Sequence, residues 1–75
     1  MELRERLNAV AKEYNEAIDK GKKRAAHEVV KRTHDAVCSA IKEIESSPSV
    51  DGALLDEAEA LLMDIRWGQK TSRFT

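Results

Sequence analysis

Wound at about 100° per residue, residues 22–45 separate into two faces that need different surroundings. One face collects Ala25, Ala26, Val29, Val30, Thr33, Val37, Ala40, Ile41 and Ile44. The opposite face, carried back by one turn, collects Lys20, Arg24, His27, Lys31, His34 and Cys38. An apolar stripe of this width must be buried against another element, so the chain has to fold as packed helices. The cationic face is not required for folding, and it is therefore a candidate for function.

The flanking segments repeat the pattern. Over residues 2–20, Leu3, Leu7, Val10, Tyr14, Ala17 and Ile18 recur at helical spacing, and Ala11 widens the stripe. The outer face of this helix holds Glu5, Lys12, Glu13, Glu16 and Asp19. Carried forward without a break, its seam would miss that of the second helix by about 100°. Gly21 is the expected stop, as a left-handed residue just past the helix end, and a tight helical hairpin over residues 2–46 follows. The alternative is one long helix kinked at Gly21.

Ser46, Ser47 and Pro48 end the second helix, because the residue before a proline is driven out of the helical region. The third helix is expected over 48–67, with either Ser47 or Asp51 as its N-cap. Ser47 would place Pro48 in the first turn. Asp51 would let Val50 and Leu55 clasp the entry as a hydrophobic staple. Both put Val50 near a seam of Leu54, Ala58, Leu61, Leu62 and Ile65, and Gly68 ends the helix after Trp67. The fold class is all-α: a small antiparallel three-helix bundle, able to dimerise, with one domain over 1–68 and a polar, flexible tail over 69–75.

The 75 residues, 41% apolar and 36% charged, fit one domain that buries a modest core. No apolar run approaches the roughly 18 residues of a membrane span. Met1 to Arg6 alternate in charge, with no secretory segment, and the single Cys38 excludes an intrachain disulfide; a cytoplasmic location is expected. The net charge of −1 speaks against whole-molecule attraction to nucleic acid or anionic lipid. Its distribution is uneven. Residues 20–32 hold Lys20, Lys22, Lys23, Arg24, Lys31 and Arg32 against Glu28 alone, whereas 51–64 hold Asp51, Asp56, Glu57, Glu59 and Asp64 and no base.

Chemistry finds little purchase. His34 and Cys38, four apart, could share a zinc ion, but two ligands do not make a site and His27 lies about 10 Å further along the axis. No phosphate-binding loop, activated nucleophile or metalloprotease helix is present. Neither catalytic activity, a metal nor a cofactor is expected. Two surfaces remain for binding. Met63 and Trp67 fall on the outer side of the third helix beside Ala60, and both residue types supply large, adaptable contact area. Lys20, Arg24, His27 and Lys31 form the cationic stripe. Together they predict a protein-binding module that acts as adaptor, inhibitor or regulator. Phosphate contact with nucleic acid and obligate self-association are the alternatives.

Overall fold

The computed structural model describes residues 2–21 and 26–74. It contains three helices, α1 (Leu3–Lys20), α2 (His27–Ser46) and α3 (Gly52–Trp67), each packed on the other two, and no strand among the described residues. Their directions follow from side-chain pairs. Arg6 of α1 meets Glu43 of α2 at 2.7 Å, and Glu13 meets Arg32 at 3.2 Å, so these helices run antiparallel. Arg66 of α3 meets His34 of α2 at 3.3 Å, while Arg4 and Tyr14 of α1 reach Glu57 and Asp64 of α3 in ascending order. The bundle is therefore up, down, up.

Each helix contributes four buried residues at the same spacing of four, three and four. These are Leu7, Ala11, Tyr14 and Ile18; Thr33, Val37, Ala40 and Ile44; and Leu54, Ala58, Leu61 and Ile65. One alanine in each seam (Ala11, Ala40, Ala58) lets the neighbouring backbones approach, and the larger side chains fill the layers between. Thr33 is the polar member of the set. Its hydroxyl donates to the carbonyls of Val29 and Val30 at 2.7 and 3.1 Å, which satisfies it within its own helix.

Several boundaries differ from expectation. Gly21 ends α1 with φ −88° and ψ 6°, an ordinary right-handed conformation, and its N–H donates to the Ala17 carbonyl at 2.9 Å. It does not take the left-handed cap expected of it. Residues 22–25, and with them the basic run Lys22, Lys23 and Arg24, lie outside the described residues. Ala26, placed in the core seam by periodicity, is the exposed N-cap of α2, with an extended φ of −59° and ψ of 144°. A single rod through this region is excluded, because Gly21 and Ala26 are both non-helical and α1 and α2 pair side by side.

The third helix begins at Gly52 rather than at residue 48. Asp51 wins the competition for N-cap: its carboxylate accepts from the Leu54 N–H at 3.1 Å, whereas Ser47 turns to the Ser49 carbonyl. Val50 consequently sits before the helix and is 50% exposed, so it does not join the seam. At the other end Gly68 adopts φ 71°, and the N–H groups of Gly68 and Gln69 close on the carbonyls of Ile65 and Asp64 at 3.2 and 3.1 Å. This is a Schellman closure, which favours glycine because a Cβ is strained at positive φ.

Beyond α3 the chain turns back along α1. Asn15 and Thr71 form a reciprocal pair: the Thr71 N–H donates to Asn15 Oδ1 at 3.0 Å, and Asn15 Nδ2 donates to the Thr71 carbonyl at 2.9 Å. Thr71 is buried, Lys70 pairs with Asp19 at 2.8 Å, and Phe74 packs on the core with the Arg4 guanidinium above its ring. A stretch whose composition reads as a frayed tail thus carries polar and apolar contacts to the bundle.

Candidate functional site

The outer side of α3 is the surface that folding leaves unused. With Leu54, Ala58, Leu61 and Ile65 turned inward, the residues opposite them are Ala53, Asp56, Ala60, Met63 and Trp67. Trp67 is 74% exposed and Met63 53% exposed; with Val50 they are the exposed large hydrophobic side chains of the described chain. Ala60 is half-buried between them and the core. All three residues expected at this face are therefore together on it. Trp67 does not fold back on Phe74, whose ring is taken up by the core and by Arg4.

Charge borders the patch unevenly. Asp56 and Glu59 lie on and beside it, and among the described residues neither makes an ion pair. Asp64 accepts a hydrogen bond from Gln69 Nε2 at 3.0 Å. Ser72 and Arg73 of the returning segment reach the same area, and with Glu59, Ala60, Met63 and Asp64 they line one open depression. Arg73 was not legible as part of this surface, because its approach depends on the Asn15–Thr71 tether.

The cationic stripe is arranged differently from expectation. Lys20 is the last residue of α1, while His27 and Lys31 belong to the first turns of α2, so the set does not run along one helix. Arg24 lies outside the described residues. Lys20, His27 and Lys31 are all exposed. Since α1 and α3 end where α2 begins, they share one end of the bundle with Trp67 and Arg66.

Between the two surfaces, α2 and α3 meet through His34, which is half-buried rather than fully exposed. Its Nε2 accepts from Arg66 Nε at 3.3 Å, which assigns the ring proton to Nδ1. Nδ1 lies 3.8 Å from Cys38 Sγ and 3.9 Å from Asp35 Oδ1. Among the described residues no three His, Cys, Asp or Glu side chains converge as a metal site. The arrangement locks α2 to α3 near Trp67.

Among the described residues, Tyr14 is a titrating group that the fold perturbs. Burial raises its pKa above the usual 10.0, the negative charge of Asp64 adds to the rise, and its hydroxyl donates to the Asp64 carbonyl at 3.2 Å. This fixes α1 against the turn of α3 that precedes Trp67. The phenol is therefore a structural support beneath the patch. No helix among the described residues is long and apolar enough to cross a membrane. Compared with known proteins, this chain matches no family model, no curated protein and no solved structure.

Proposed function

We propose that this chain is a small non-catalytic protein-binding module, an adaptor, inhibitor or regulator that works by occupying another protein through the outer face of α3. The observation that carries the reading is the exposure of Met63 and Trp67 one turn apart on a helix whose own core seam is already complete. Exposed side chains of this size leave an apolar area in water that a monomer gains nothing by keeping, and Trp with Met is a combination enriched where proteins dock. A single thiol and no disulfide suit a cytoplasmic site of action.

The test is the double variant Met63→Ala, Trp67→Ala. It should retain the helical content of the parent and lose the proteins that the parent retains from its source cell. Unchanged capture by the double variant rejects the face, and loss of helicity shows that the two side chains are core. A second reading, phosphate contact, draws on the exposed Lys20, His27 and Lys31 gathered at one end of the bundle. It requires measurable affinity for DNA or RNA at low salt that falls as salt rises and as Lys31→Glu is introduced.

A further inference from the structure

The outer face of α3 has an order of its own. Ala53, Asp56, Ala60, Met63 and Trp67 recur at spacings of three, four, three and four, which is the repeat by which one helix packs along another. The inner seam already uses one such repeat for the bundle. This second one is covered by no helix of the bundle, and Ser72 and Arg73 reach it only beside Ala60 and Met63. Glu59 and Arg66 lie along one side of it, each one residue before a member of the repeat, and both are exposed.

We infer that the occupant of this face is a second copy of the same chain, with the two α3 helices antiparallel about a twofold axis. The inference rests on the protein-docking reading of the face. Setting the axis between Leu61 and Leu62 places Ala60 opposite Met63 of the partner subunit, a small residue against a large one. It also places Asp56 opposite Trp67 of the partner subunit. Asp56 is otherwise an anomaly, a carboxylate in the middle of an apolar seam with no ion pair among the described residues. In this register the indole N–H can donate to it.

Charge selects the direction. In an antiparallel pair the Glu59 and Arg66 side of one helix faces the same side of the other, so Glu59 meets Arg66 of the partner subunit, and symmetry repeats the pair. Among the described residues Arg66 binds His34 through Nε alone, which leaves its terminal amino groups to reach across. A parallel pair would instead bring Glu59 against the side that carries Glu57 and Asp64. On that second side the antiparallel arrangement sets carboxylates near one another, but Glu57 pairs with Arg4 at 3.1 Å and the Asp64 carboxylate accepts from Gln69 Nε2 at 3.0 Å. Opposite charges flank one side, and intramolecular partners already engage the carboxylates of the other.

One pair of helices of this length sits at or below the ~1,200 Å² lower limit of standard interfaces, so the dimer is weak and concentration-dependent. Any other protein that docks here competes with the second copy. Sedimentation of the whole chain from about 1 μM to about 1 mM reads the association directly. The parent should pass from monomer to dimer in that range, and Trp67 emission should shift to the blue with the same dependence. Met63→Glu should raise the dissociation constant at least ~10-fold, which corresponds to about 1.4 kcal/mol, with helical content unchanged. Glu59→Arg should weaken the dimer, and combining it with Arg66→Glu should restore it. A parent that stays monomeric throughout, or a dimer indifferent to both Met63→Glu and Glu59→Arg, overturns self-pairing. A folded monomer overturns only this inference and leaves the face open to another protein, whereas unfolding by Met63→Glu overturns the docking reading as well.

Discussion

Two apolar residues of α3, Leu61 and Trp67, should respond to truncation in opposite proportion to their size. Leu61 is 0% exposed in the seam, and replacing it with Ala loses both its transfer from water and the packing around the cavity left behind, together ~2–5 kcal/mol. In a chain of this size one kcal/mol moves the melting temperature by roughly 4–8 °C, so Leu61→Ala should lower it by at least ~8 °C. Trp67 is the larger residue, but it is 74% exposed. About a quarter of a side chain that can bury ~200 Å² is out of water, which at 25 cal/mol per Å² amounts to about 1.3 kcal/mol. Alanine's better helix propensity returns about half of that, so Trp67→Ala should shift the melt by less than ~5 °C. Thermal unfolding followed by far-ultraviolet circular dichroism compares the two at equal, low concentration. A Trp67→Ala melt as depressed as that of Leu61→Ala refutes the assignment of this face as surplus to the fold.

Three further outcomes follow from named contacts. Because the folded state raises the Tyr14 pKa, the stability it confers is present below the ordinary tyrosine value near 10.0 and is lost as pH rises through the folded value; denaturant titrations should show the parent losing more stability above pH 10 than Tyr14→Phe does. Asp51→Ala removes the carboxylate that caps α3 and should cost about 1 kcal/mol, read as a lower unfolding midpoint, while Asp51→Asn keeps most of it. Asn15→Ala should free the segment around Thr71, seen as faster hydrogen exchange of the Thr71 amide with the helices still protected; unchanged exchange there contradicts the tether.

What could be read from the residues was what repeats. The seams of α1, α2 and α3 stand at helical spacing in the chain itself, and tertiary packing merely selects the central four of each, leaving Leu3, Val10 and Val30 at the margins. The outward turn of Met63 and Trp67 follows from the same arithmetic, since a helix that buries Leu54, Ala58, Leu61 and Ile65 has no other side on which to put them. Ends were less legible because several local solutions compete. Ser47 and Asp51 are both good caps, and Asp51 prevails by presenting a carboxylate to the Leu54 N–H. Gly21 looks like a left-handed stop, yet α1 closes through the Ala17 carbonyl without it, whereas Gly68 does take positive φ. The cationic stripe failed to form on one helix because periodicity was carried across the break between Lys20 and His27. Nothing local announces the return of residues 69–74 along α1. Asn15 and Thr71 are 56 positions apart, and their reciprocal hydrogen bonds exist only once the bundle has brought the end of α3 beside the middle of α1. Arg73 reaches the candidate site by that route alone.

The chain holds one tryptophan, so its fluorescence reports the outer face of α3 without ambiguity. Measured on dilute, folded protein, Trp67 should emit as an indole in water and be quenched by acrylamide nearly as readily as a free tryptophan derivative. A blue-shifted, quencher-protected indole at that dilution would mean that the folded monomer already covers Trp67, and the docking face would not exist.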